Sequence, residues 1–173
     1  MSTLALEERR LIEDTIVDYA FGIDLRDRDR LERSLTSDLE VDFTSWGGGR
    51  DLNLFTAPRR VSGAAWADNV VRSMGALRAT HHLLGPSAIE PLASEPGGGA
   101  YRCTTQIQAY HYLPNDRGDN EFVFGGYYDN EVARDAGNRW RIRKLKIIVL
   151  WSRGNRFVFQ LAYDAGTQES VNR

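Results

Sequence analysis

Across residues 6–26 the apolar positions Ile12, Ile16, Tyr19, Ala20 and Ile23 return at steps of three and four, the spacing of one helix face. Positions 12, 16, 20 and 24 lie four apart, so this stripe runs on to a carboxylate, Asp24. A charge there faces burial and sits near a helix C-terminus, where the dipole favours cations. The alternative is a helix that stops one residue earlier and leaves Asp24 as a solvated turn residue. The alternating run Arg26-Asp27-Arg28-Asp29-Arg30, followed by Leu31 and Leu35, reads as a short exposed second helix. The period then changes. Residues 39–46 alternate as a strand with Val41 and Phe43 on one face, and Gly47-Gly48-Gly49 ends it. A loop with Pro58 leads to Ser62, an expected N-cap for a third helix with the stripe Trp66, Val70, Met74 and Leu77.

The rest of the chain reads mostly as strand: 79–85, 101–113, 121–134, 139–151 and a further piece at 157–161. Turn residues separate these pieces, with Pro91 and 95–99, then 115–119, then 135–138 between neighbours. No internal repeat or linker divides the chain, so residues 1–165 are expected to form one domain and 166–173 a polar tail. Helices followed by a run of antiparallel strands predict an α+β domain, its helices packed on one face of a curved sheet that encloses a pocket.

Composition narrows the function classes. A length of 173 residues suits one domain with a substantial core. A net charge of −2 gives no basic footprint for nucleic acid or an anionic membrane. No apolar run has the length of a signal peptide or a membrane span. The single cysteine, Cys103, has no partner for an internal disulfide and reads as a packed strand residue, so a cytoplasmic location is expected.

Chemistry concentrates on the histidines. Two of the three lie in Ala79-Thr80-His81-His82-Leu83-Leu84-Gly85, and strand alternation sends them to opposite faces. His82 is taken as the interior one and His81 as its outward twin. The third, His111, follows on the next strand, and with Asp24 the three groups converge on the expected interior. A carboxylate that accepts a hydrogen bond from one imidazole nitrogen fixes the tautomer and leaves the other nitrogen as a base. Two histidines and an aspartate also suggest an iron triad. Adjacent His81 and His82, however, cannot easily share one metal, and no metal is expected.

The order of Tyr19-Ala20-Phe21-Gly22-Ile23-Asp24, Val41-Asp42-Phe43, Thr80 to Gly85, Gly125-Gly126-Tyr127-Tyr128-Asp129 and Trp140-Arg141-Ile142, with Trp151 beyond, resembles the SnoaL-like branch of the nuclear transport factor 2-like superfamily. That resemblance implies a cone-shaped α+β domain, in which a mixed, mostly antiparallel sheet wraps around N-terminal helices and a deep pocket. It is similar to scytalone dehydratase and hexachlorocyclohexane dehydrochlorinase, which need no cofactor, and it implies catalytic roles for Asp24, His82 and His111. The dehydratase's two carbonyl-polarising tyrosines correspond here to Ile23 and Phe43, and its serine and asparagine to Gly125 and Tyr127. Tyr127 or Tyr110 is the expected replacement hydroxyl, and Tyr19, Phe43, Trp66, Tyr110, Tyr127 and Trp151 are the expected pocket lining. The implied activity is a cofactor-free lyase of the dehydratase type acting on a small cyclic or aromatic-like molecule. Its rivals are an isomerase or polyketide-type cyclase using the same residues, and a non-catalytic binding or assembly subunit. Such domains commonly pair through the exposed sheet face, so a homo-oligomer is expected, with no nucleic-acid or membrane partner.

Overall fold

A computed structural model describes residues 4–46, 57–93, 95 and 99–171, with the side chains of 46 and 166–171 outside the description. The glycines at 47–49, expected to end the first strand, and positions 96–98 of the next turn lie outside the described residues. Helix α1 (Leu6–Leu25) buries Ile12, Ile16, Tyr19, Ala20 and Ile23, the stripe that its spacing predicts. Its end is tightly made. Arg26 adopts the left-handed conformation at φ 55°, and the Asp27 N–H returns to the Gly22 carbonyl at 2.9 Å. The Arg26 guanidinium donates to the Leu77 and Met74 carbonyls at 2.5 and 3.3 Å, which ties the end of α1 to the far end of α3 (Gly63–Gly75). Asp24 is held between these anchors.

Helix α2 (Arg28–Ser34) begins at Asp27, whose carboxylate accepts the Arg30 N–H, and it presses Leu31 against Gly22. A β-carbon on Gly22 would lie 2.7 Å from Leu31 Cγ, so the two helices meet this closely only because position 22 has no side chain. Ser62 caps α3 by accepting the Ala65 N–H at 3.1 Å, and Trp66, Ala67 and Val70 are buried beneath that helix.

Six strands, β1 (Leu35–Asp42), β2 (Arg59–Val61), β3 (Ala79–Pro91), β4 (Ala100–Tyr112), β5 (Glu121–Arg134) and β6 (Trp140–Gly154), form a curved, unclosed sheet. Their order is β2-β1-β6-β5-β4-β3; β1 and β6 run parallel and every other pair is antiparallel. The helices cover one face, and Ile12, Ile16, Leu31, Leu39, Val41, Ile142 and Leu145 form a closed core there. The domain is therefore α+β, as its pattern of periods predicts.

Three elements differ. The first strand ends at Asp42 and residues 44–46, expected as its continuation, form a short 3₁₀ turn, while 59–61, expected as loop, form β2. Residues 157–161, expected as a strand, open helix α4 (Val158–Val171), which continues through most of the expected tail. Buried Val158 and Ala162 are four apart, and so are Phe159 and Tyr163, which both line the interior cavity; on a helix both pairs lie on the inward side, whereas a strand would send adjacent Val158 and Phe159 to opposite faces. Asn155 starts the turn by accepting the Phe157 N–H at 3.0 Å.

Candidate active site

Strand β3 is an edge, so the N–H groups on its outer side have no neighbouring strand to bond. Asp24, projecting from the last turn of α1, supplies the acceptor: its Oδ2 takes the His82 backbone N–H at 2.8 Å. The other carboxylate oxygen, Oδ1, lies 2.6 Å from His82 Nδ1 and accepts the Thr80 hydroxyl at 2.9 Å. A carboxylate bonds an imidazole nitrogen only when that nitrogen carries the proton, so Nδ1 of His82 is protonated, and in the neutral ring Nε2 is the bare nitrogen. The ring is nearly buried (side chain 4% exposed) and lines a cavity, and its Nε2 has no hydrogen-bond partner among the described residues. Burial pushes the Asp24 carboxyl up, but the hydrogen bonds and charge of His82 and the Thr80 hydroxyl outweigh it and hold the group below the usual carboxylate value.

His111 meets this pair from β4. It stands opposite Thr80 in the β3–β4 register and opposite Phe122 in the β4–β5 register, all three on the inner face. Its ring is 5.5 Å from that of His82, edge to face, stacks on Phe124 and packs against Phe159 of α4. Burial, with the nearby His82, pushes its pKa down to about 3, against weaker opposing pulls from the Phe122 carbonyl and Asp24. His111 is therefore neutral at physiological pH. The Phe122 carbonyl can only accept, so the 3.4 Å contact is made by Nδ1–H and leaves Nε2 of this ring bare as well.

The cavity has a volume of about 640 Å³ and a largely apolar wall. Tyr19, Phe43 and Trp66 line it, as expected from the sequence, together with Ile23, Tyr128, Ile147 and Phe159. Two arginines, Arg59 and Arg72, also line it, and no carboxylate does among the described residues.

Three expected lining residues lie elsewhere. Tyr110 neighbours His111 on one strand and so faces away from it; it stacks on outward-facing His81 at 6.3 Å. Tyr127 pairs with exposed Gln106 on the outer face, one residue out of phase with the cavity. Trp151 would share the inner face with Ile147 and Val149 in a regular strand. The register slips at this point, pairing Val149 with Gly126 but Trp151 with Gly125, so Leu150 is an extra residue. The bulge turns Trp151 outward, where it lies across Gly125 and is 46% exposed. The cavity tyrosine that sequence reasoning missed is Tyr128. Alternation back from Phe122, the antiparallel partner of His111, places even-numbered β5 residues inside and would have found it. Phe159, Gln160 and Tyr163 were missed because α4 was taken for strand and tail.

Among the described residues no group of three histidine, cysteine, aspartate or glutamate side chains is arranged to hold a metal ion. No described helix is long and apolar enough to cross a membrane.

Known proteins sharing this architecture include the Kfla4162 protein of Kribbella flavida, 25% identical, with a TM-score of 0.75 over 89% of this chain and 97% of that one. A scytalone dehydratase-like protein of Novosphingobium aromaticivorans is 16% identical, with a TM-score of 0.67 over 87% and 89% of the two chains. The hexachlorocyclohexane dehydrochlorinase LinA-type3 of Novosphingobium barchaimii is 17% identical, with a TM-score of 0.64 over 87% and 92%. No curated protein matches the chain. At these identities the last two likenesses are of fold. The sequence itself matches the SnoaL-like domain across residues 4–146, which takes in both the helix that carries Asp24 and the strands that carry His82 and His111, and the chain belongs to that family.

Proposed function

We propose that this SnoaL-like domain is a cofactor-free acid–base enzyme of the dehydratase type acting on a small cyclic molecule. One observation carries the proposal: the Asp24 carboxylate grips the His82 ring at 2.6 Å and the strand N–H beside it at 2.8 Å, which leaves Nε2 bare at a cavity wall. Two bonds from one carboxylate fix both the tautomer and the position of the base, so little reorganisation remains for proton abstraction. The largely apolar wall and about 640 Å³ of space suit one ring-sized molecule and strengthen electrostatic contacts within. His82 removes a proton next to an electron-withdrawing group, and Asp24 stabilises the imidazolium that forms. His111, neutral and bare at Nε2, accepts a hydrogen bond from a substrate hydroxyl and thereby orients it. The proton carried by His82 then leaves with that hydroxyl as water.

The dehydratase and dehydrochlorinase names borne by proteins of the same fold support a lyase. A second reading is favoured by the state of His111: with a single proton carrier, the same site can return the proton to another carbon, as an isomerase or cyclase does. Incubation with a panel of cyclic β-hydroxy ketones, followed by mass spectrometry, separates the two. Loss of 18 mass units (about one water) marks a dehydratase and an unchanged mass an isomerase or cyclase. Equal turnover by wild type and His82→Gln would remove the base from both readings.

A further inference from the structure

Helix α3 carries an arginine whose ordinary partner is taken. Asp68 stands four residues before Arg72, the spacing at which a carboxylate and a guanidinium on one helix pair. The Asp68 carboxylate instead accepts Arg28 Nε of α2 at 2.6 Å, and Arg72 makes no ion pair or hydrogen bond among the described residues. Its side chain lines the cavity. Asn69, three residues back and so on the same helix face, lines it as well, and its side-chain amide has no hydrogen-bond partner among the described residues either. From β2, Arg59 brings a second guanidinium to the cavity wall. Both arginines are exposed, whereas Tyr19, Trp66 and His111 are buried, so the cations stand at the solvent end of a cavity whose inner end holds the two histidines. The α3 dipole favours a cation in the last turn whichever way it points. It does not account for two cations and an amide bordering one cavity that no carboxylate lines among the described residues, an arrangement complementary to an anion.

We propose that the cavity mouth receives a carboxylate group of the substrate, held by Arg72 and Asn69 of α3 with Arg59 of β2, which makes small cyclic acids in their anionic form, rather than neutral molecules, the class this site selects. The proposal rests on the proton-transfer reading of His82 for the chemistry and adds what chooses and orients the molecule. A guanidinium presents parallel N–H groups that match the two oxygens of a carboxylate, and the Asn69 amide supplies a further donor beside it. With the charge held at the mouth, the apolar ring enters first and lies against the inner wall, where Nε2 of His82 waits. The carboxylate keeps its charge throughout; no bond to it forms or breaks. Because both cations are solvent-exposed, the attraction is screened by salt and is modest in size, about tenfold in affinity.

The test compares benzoate with benzamide, which has nearly the same shape and no charge, by calorimetry on the full chain at neutral pH. Wild type is expected to prefer benzoate by about tenfold, and the preference to shrink in about 1 M salt. Arg72→Met keeps a long helix-forming side chain on an exposed position, so it is expected to fold, to bind benzamide as wild type does and to lose most of the preference. Arg78→Met removes an exposed arginine that does not line the cavity and should leave the preference intact, which separates a local site from the net charge of the protein. Equal affinities in wild type, no measurable binding of benzoate, an unchanged preference in Arg72→Met, or an equal loss in Arg78→Met would each overturn the proposal. So would loss of the preference in His82→Gln, since the anion would then sit on the histidine. If the preference holds but His82→Gln turns over the ketone panel as wild type does, the base assignment falls and the anion site stands. If His82→Gln abolishes turnover but wild type shows no preference, the base stands and the anion site falls.

Discussion

His111 is neutral in the folded protein and protonated in the unfolded chain over a wide pH window, and this makes the stability of the domain acid-sensitive in a calculable way. Its pKa is about 3 when folded, against 6.5 ordinarily. Between these values the unfolded chain binds more protons at this position than the folded one, so stability falls as pH falls. The contribution is complete above the unfolded value and is lost progressively below it. At about pH 4.5, two units below the unfolded value, the loss is about 2.7 kcal/mol at about 1.36 kcal/mol per unit. Any folded value below about 4 gives nearly the same figure, because the unfolded titration sets it. The perturbation is His111→Phe, which keeps a ring against Phe124 and Phe159 and removes the titrating group. Urea unfolding from about pH 7.5 to 4.5 measures the free energy of each protein by linear extrapolation. The wild type should lose about 2.7 kcal/mol more than the variant across that range, whatever the two values at neutral pH. Parallel pH dependences would mean that His111 is not held neutral, and its assignment as a hydrogen-bond acceptor would fall with them.

Asp24→Asn should lower turnover of any accepted substrate by about 10²–10⁴-fold, since it removes both the imidazolium's counter-charge and the grip on the tautomer; steady-state kinetics on the panel checks this. Thr80→Val removes one of the three bonds to the Asp24 carboxylate and should cost about 1–2 kcal/mol in urea unfolding, since the lost partner is charged. Gly22→Val drives a side chain into Leu31, and overpacking at the α1–α2 contact should cost about 1–3 kcal/mol, read as a lower thermal midpoint. Ser62→Ala should cost about 1 kcal/mol through loss of the α3 cap, with the cavity chemistry unaffected.

Much of this fold was legible because the periods are clean: the stripe on α1, the cap at Ser62 and the alternation of β4 and β5 each point to one element. Asp24 was legible for the opposite reason, as a charge placed where both burial and the helix dipole oppose it. What defeated the pattern was phase rather than period. Tyr110 and Tyr127 sit on correctly expected strands but on the outer face, and alternation counted from His111 would have shown it. Trp151 was beyond such counting, because the extra residue at Leu150 is set by how β6 registers on β5, a tertiary choice with no local signal. Helix α4 was masked by composition. Phe157, Val158 and Phe159 favour strand locally, and burial of Val158 and Ala162 against the core overrides that preference. Tyr128 follows from the same parity.

The central claim is that Asp24 fixes His82 with a bare Nε2 facing the cavity, and histidine nitrogen NMR on uniformly ¹⁵N-labelled protein at neutral pH tests it without any substrate. The ring of His82, identified by its loss in His82→Gln, should show a protonated Nδ1 and an unprotonated Nε2, and Asp24→Asn should abolish that single-tautomer signature. A protonated Nε2 in the wild type, or an unchanged tautomer in Asp24→Asn, would contradict the claim, since the ring would then present no base to the cavity or would not owe its state to Asp24.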